Sequence, residues 1–163
     1  MLYIKTEKEY IEVVERYSDM VYRIAYQSLF HIHDAEDVVQ DVFLKVLKHR
    51  NKCFKDYEHL KSWLIRVTVN QCLDYKKTFH RKNVISLEDL EIPYEYQREE
   101  QEVLENLQKL PEDYRIILYL YYYEGYTIKE IGKILGKKQN TVNSKLTRGR
   151  KRLKNMMEVG NDE

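Results

Sequence analysis

Apolar and polar positions alternate along this chain with the period of a helix rather than a strand. Within residues 9–30, Ile11, Val14, Tyr17, Val21, Ile24, Ala25 and Leu29 fall on one face, predicting a first amphipathic helix. His31-Ile32-His33 interrupts it. Asp34, an N-cap residue type, with Glu36 and Asp37 in the first turn, predicts the start of a second helix. The core stripe of that helix is Ala35, Val38, Val39, Val42, Phe43, Val46 and Leu47. Its other face is Asp37, Gln40, Asp41, Leu44 and Lys48, polar but for one leucine. Residues 50–59 carry no period and read as a loop holding Phe54 and Tyr57. A third helix is expected over 60–80, with Leu60, Trp63, Leu64, Val67, Gln71 and Tyr75 on one face.

Residues 83–96 lose the period again, are acidic and include Pro93, and so read as a linker. Beyond it, Val103, Leu104, Leu107 and Leu110 mark a short helix. Pro111 then suits the first turn of the next one, followed by Glu112 and Asp113. The apolar run 116–123 suits a buried strand or a buried helix. The Pro-Glu-Asp start, Gly125 just past the end and the helices on either side favour the helix. The fold class is all-α, as two small helical domains joined by a linker. Few breakers (5 Gly, 2 Pro) agree with that class.

Charge alters the picture more than composition does. The chain holds 28 Lys+Arg and 27 Asp+Glu, a formal net charge of +1, which argues at first sight against a polyanionic partner. The balance is a cancellation between blocks. Residues 111–154 carry 11 basic and 4 acidic side chains (+7), residues 81–110 carry 4 and 8 (−4), and the tail 155–163 carries three acids and no base. From Lys137 to Lys154 no acid interrupts the lysines and arginines, a density suited to phosphate. A smaller group, Lys76, Lys77, Arg81 and Lys82, fits either a phosphate contact or a solvated helix face. The two cysteines build no disulfide framework, no apolar run reaches the roughly 18 residues of a membrane span, and the N-terminus is unlike a signal peptide. A cytoplasmic location without membrane insertion is expected.

The most informative stretch is 127–154. Thr127-Ile128-Lys129-Glu130 has the form of a capping box, and Ile128, Ile131 and Leu135 give a short helix one apolar face up to Gly136. A polar turn leads to a helix expected over 140–154, with Val142, Leu146 and Leu153 inward and Asn140, Asn143, Ser144, Thr147, Arg148 and Lys151 outward. That is the pattern of a helix-turn-helix. Asn pairs with adenine edges and Arg with guanine, Ser and Thr serve either, and Lys145, Arg150 and Arg152 suit phosphates.

Two blocks resemble one family. Asp34-Ala35-Glu36-Asp37-Val38-Val39-Gln40-Asp41-Val42-Phe43, Ser62-Trp63-Leu64 and Leu73-Asp74-Tyr75-Lys76-Lys77 are similar to the second conserved region of bacterial sigma factors. Leu110-Pro111, the stretch from Tyr122 through Ile131, Gly136 and the stretch from Thr141 to Arg150 resemble the fourth region. Two such regions with a short linker are the layout of the extracytoplasmic-function (group IV) sigma factors. The resemblance implies a region 2 over residues 1–82, a linker over 83–98, a region 4 over 99–154 and an acidic tail. It implies that Asp37, Gln40, Asp41, Leu44 and Lys48 dock on the clamp helices of the RNA polymerase β′ subunit. The loop with Phe54 and Tyr57 would capture an unstacked base of the −10 strand, although both rings equally suit capping the core. Asn70, Lys76, Lys77 and Arg81 would meet the −10 element, while Trp63 reads as core. Asn140, Thr141, Asn143, Ser144, Lys145, Thr147, Arg148 and Lys151 would read the −35 element, beside a contact with the β flap. Promoter DNA, core polymerase and an anti-sigma factor are the implied partners.

Gly132 departs from the family's usual alanine, a change that on propensity alone weakens its helix by roughly 1 kcal/mol. Asn143 and Gln139 also depart, from a common basic residue and a Ser-type cap. An enzyme is not expected: the sequence has no Gly-rich phosphate loop and no nucleophile–base pairing. His31-x-His33 lacks further ligands at zinc spacing, and no cofactor is implied. The rival reading is a stand-alone helix-turn-helix regulator, which would bind duplex DNA tightly without polymerase.

Overall fold

A computed structural model describes residues 1–80 and 98–161. The chain divides into two compact units, Met1–Glu91 and Ile92–Glu163. The segment expected as a linker, 83–96, lies outside the described residues. Among those described, the regular elements are helical, with one isolated antiparallel bridge between Leu2 and Phe54.

In the first unit, α1 (Glu7–Leu29), α2 (Ile32–Lys48) and α3 (Tyr57–His80) pack on one another. A capping box starts α1: the Glu9 amide donates to the Thr6 hydroxyl (3.2 Å) and the Glu9 carboxylate accepts from the Thr6 amide (2.9 Å). The helix ends at Phe30, in the left-handed region (φ 50°). The chain turns directly into α2, which begins two residues before the expected Asp34. His31 is the N-cap, its Nδ1 accepting from the Asp34 amide at 3.3 Å, so Asp34 sits inside the first turn. The α2 stripe largely packs as its spacing predicts, with Ala35, Val38, Val42, Phe43 and Val46 buried and Val39 and Leu47 half-buried. In α1 the stripe is rotated: Val13 and Met20 join the core and Ile11 is exposed.

The third helix begins at Tyr57, so the last residues of the expected loop are its first turn. Asp56 accepts from the His59 amide (2.8 Å), and the His59 ring accepts in return from the Lys55 amide (3.0 Å). This reciprocal cap has histidine where a capping box has Glu or Gln. Its buried residues are Leu60, Leu64, Ile65, Thr68 and Cys72, while Trp63, Val67, Gln71 and Tyr75 are half-buried. The Thr68 hydroxyl is satisfied by the Leu64 carbonyl at 2.7 Å.

The second unit is built from α4 (Arg98–Gln108), α5 (Glu112–Leu118), α6 (Ile128–Leu135) and α7 (Gln139–Asn161). Pro111 caps α5, and Ile116, Ile117, Leu118 and Leu120 are buried. The run 116–123 is not a wholly buried helix. At Tyr119–Tyr123 the backbone widens to a π-helical turn, in which the Glu124 amide reaches the Tyr119 carbonyl (3.2 Å). The wider turn changes the phase of the following residues, and Tyr122 and Tyr123 emerge 56% and 58% exposed. Gly125 follows with φ +73°. In α6 the buried residues are Ile131, Gly132 and Ile134, with Ile128 and Leu135 half-buried. The last helix runs beyond the expected Lys154 to Asn161, taking in most of the presumed tail.

Candidate nucleic-acid interface

The turn between α6 and α7 follows from local chemistry. Both bonds of the Thr127/Glu130 capping box form: the Glu130 amide donates to the Thr127 hydroxyl (3.2 Å), and the Thr127 amide to the Glu130 carboxylate (2.8 Å). The Thr127 amide, and after it the Thr127 hydroxyl, which also donates to the carboxylate (3.0 Å), hold the Glu130 carboxyl below its ordinary value. Gly136 closes α6 in the left-handed region (φ 65°), where a residue without Cβ is unstrained. The Lys137 amide then donates back to the Gly132 carbonyl (2.9 Å). A Cβ on Gly132 would lie 2.8 Å from the Lys137 carbonyl oxygen. The propensity cost expected at Gly132 is therefore offset by a role: it lets the turn fold tightly onto α6. Gly149 plays a related part, bringing α7 to within contact of Tyr114 and Leu118 on α5.

With Val142, Leu146 and Gly149 buried, α7 presents Asn140, Thr141, Asn143, Ser144, Thr147, Arg148 and Lys151 to solvent. Six of them, all but Thr141, were expected outward, and at roughly 100° per residue the seven share one face. Lys145, Arg150 and Arg152 differ. Lys145 is ion-paired with Asp113 of α5. Burial opposes the Asp113 charge, and the Lys145 hydrogen bond and charge outweigh it, holding the carboxyl below its usual range. Arg150 donates to the Tyr122 hydroxyl (2.9 Å), and the Arg152 guanidinium lies 5.2 Å from the Tyr114 ring centre. Sequence spacing gave no sign of these contacts.

In the first unit, the α2 face expected to dock on polymerase is exposed at Asp37, Gln40, Leu44 (52%) and Lys48. Asp41 is half-buried and accepts from the Gln71 side chain of α3 (3.3 Å). Beside it the Tyr75 hydroxyl donates to Asp34 (2.6 Å). Burial, and then that carboxylate, push the Tyr75 phenol well above its ordinary value.

The two rings left open between stacking and core separate here. Phe54 is 2% exposed. Its amide and carbonyl pair with Leu2 (2.9 and 2.7 Å), and its ring meets Trp63 and His59 at centroid distances of 5.4 and 5.6 Å. Phe54 is a core residue in this conformation. Tyr57 is 42% exposed, with the Arg16 guanidinium 4.2 Å from its ring centre. Trp63 is half-buried rather than core, flanked by His49 and with Lys52 Nζ 4.9 Å from its ring centre. Asn70 and Lys77 are exposed and Lys76 half-buried. Arg81 lies outside the described residues. No described helix is long and apolar enough to cross a membrane.

Known proteins carry the same two parts in the same order. Residues 13–82 match the family described as Sigma-70 region 2, and residues 100–153 match Sigma-70, region 4. The ECF RNA polymerase sigma factor SigM of Bacillus subtilis is 32% identical over 163 residues, covering 93% of this chain and 98% of that protein. The ECF sigma factor SigE of Mycolicibacterium smegmatis is 33% identical over an alignment 159 residues long that covers 90% of this chain and 60% of the relative. Among solved structures, the sigma factor RpoE of Bartonella quintana, in complex with the anti-sigma factor NepR, shares the fold. Its TM-score is 0.77 at 21% identity, covering 93% of this chain and 98% of that one. With both regions matched and a relative covered almost end to end, this chain belongs to the extracytoplasmic-function branch of the sigma-70 family, the RNA polymerase sigma factors that direct promoter-specific transcription.

Proposed function

We propose that residues 1–82 bind core RNA polymerase and the −10 element, that residues 83–98 are an acidic linker, and that residues 99–154 read the −35 element. The observation that carries the reading is the solvent face of α7, where amides, hydroxyls and the Arg148 and Lys151 charges converge on a helix anchored by a capped α6. Those groups match base edges and phosphates in a major groove. Asn140, Thr141, Asn143, Ser144 and Thr147 read bases in this account, and Arg148 and Lys151 serve bases or backbone. Lys145 is assigned to the edge of the interface.

On the first unit, Asp37, Gln40, Leu44 and Lys48 are the polymerase-docking face, and Asp41 supports it from its contact with Gln71. Tyr57, Asn70, Lys76, Lys77 and Arg81 are assigned to the −10 element, with Phe54 bracing the loop from within. The chain acts as a binding subunit in the cytoplasm and leaves catalysis to the polymerase, whose β flap it also meets. An anti-sigma partner is proposed on the analogy of RpoE with NepR and of CnrH with the cytosolic domain of CnrY, the latter a fold match at TM-score 0.65.

Pull-down with core polymerase tests the docking face. Gln40→Ala with Leu44→Ala should weaken capture while circular dichroism stays unchanged, and undiminished capture refutes the assignment. Run-off transcription tests the whole: core enzyme with this chain should initiate at a promoter where core enzyme alone does not.

A further inference from the structure

The exposed face of α7 has two edges. At roughly 100° per residue, Lys145 and Arg152 lie along one edge and Arg150 along the other, with Arg148 and Lys151 between them. A helix seated in a major groove meets bases at its centre and the two phosphate backbones at its edges. Edge cations are thus the ones best positioned for sequence-independent attraction. Here all three are engaged by one segment of the same unit. Asp113 pairs with Lys145, the Tyr114 ring lies against Arg152, and the Tyr122 hydroxyl accepts from Arg150.

Asp113 is the member of this set that cancels charge. Its side chain is 39% exposed and that of Lys145 24%, so the pair sits at the rim of the interface. There it can act on an approaching backbone. A lysine already neutralised by a carboxylate has no condensed counterion to displace from DNA, and it contributes little to binding that every sequence shares.

We propose that Asp113, by neutralising Lys145 at the edge of α7 while Tyr114 and Tyr122 hold the neighbouring arginines, lowers the attraction of the free chain for DNA of any sequence. Binding is left to the central face of amides, hydroxyls, Arg148 and Lys151. Because a phosphate term common to all sequences cancels in the ratio of cognate to non-cognate affinity, the device weakens both alike and leaves base discrimination unchanged. The inference rests on the reading of α7 as the −35-reading helix.

The test is fluorescence anisotropy of the full chain with a labelled duplex of unrelated sequence, titrated from low to moderate salt. Asp113→Asn should bind severalfold more tightly than the parent at low salt. The slope of log affinity against log salt should steepen by about 0.9, one phosphate contact. Asp113→Glu, which keeps the carboxylate, should return the parental slope. Glu112→Gln makes the same charge change one residue earlier and should steepen the slope by less than half as much. Asp113→Ser carries the same expectation as Asn if a thermal melt shows the Asn variant misfolded. A parental or shallower slope in the folded Asp113 variants overturns the inference, as does equal steepening by Glu112→Gln or no salt-dependent binding by the parent. Failure of run-off transcription by the parent strikes the reading of α7 itself, whereas a parental slope alongside normal run-off strikes the role of Asp113 alone.

Discussion

The two units spend their polar and aromatic residues differently. In the first, several residues of the candidate site are also part of the fold: Phe54 is buried under Trp63 and bridged to Leu2, and Asp41 is tied to Gln71. In the second, the base-reading candidates on α7 stand in solvent, and the contacts to the scaffold are made by the neighbouring cations. A three-helix unit that must present a loop holds that loop with the loop's own side chains. A helix-turn-helix holds its reader from behind, through Val142, Leu146 and Gly149, and leaves the front free. Substitutions at the built-in residues Phe54 and Asp41 should therefore cost stability, and those on the front of α7 binding.

That contrast breaks most readily at Phe54. Phe54→Ala should lower unfolding free energy by about 3–5 kcal/mol, as for a fully buried aromatic ring, read by denaturant titration. Tyr57→Ala, three residues on and exposed, should cost below about 1 kcal/mol, the loss of its contact with Arg16. Equal effects from the two would erase the distinction between them. In the second unit, Thr127→Ala should cost about 1 kcal/mol through loss of the cap. Gly132→Ala should also cost about 1 kcal/mol net. The clash with the Lys137 backbone, which no flexible side chain can relieve, exceeds the gain in helix propensity. A stabilised Gly132→Ala would show that the turn has slack.

The smallest effect is one of pH. Because Glu130 is held below its ordinary 4.5, the unfolded chain takes up its proton first as pH falls. The cap's contribution is thus fully present above that value and is lost as pH drops through the lowered one. Glu130→Gln should make the melting temperature less sensitive to acid as pH falls from neutral through the ordinary 4.5 and below. Parental acid sensitivity in the variant would remove Glu130 from the account.

Much of this was legible in the sequence because hydrophobic spacing and capping chemistry are local. The α2 stripe, the Thr127/Glu130 box and the outward set on α7 follow from residues at most a few turns apart. What escaped was either long-range or a change of phase. A single bridge joining Leu2 to Phe54 has no period to detect, and the residue type of Phe54 suits a core and a stacking site alike. Asp113 and Lys145 are 32 positions apart. The π-helical turn shifts Tyr122 and Tyr123 outward from a run whose composition reads as buried. The early start of α3 was hidden because His59 stands where a capping acid is usual.

The central claim is that one chain reads two promoter elements for the polymerase, the second through the front of α7. It is tested most directly by transcribing a library of templates with core RNA polymerase and this chain, then mapping start sites by sequencing. The account predicts start sites that share both a −10 and a −35 element, and an Arg148→Ala protein that still binds core enzyme but no longer depends on the −35 element. Start sites sharing no upstream sequence, or the same sites and yields from Arg148→Ala, would contradict it.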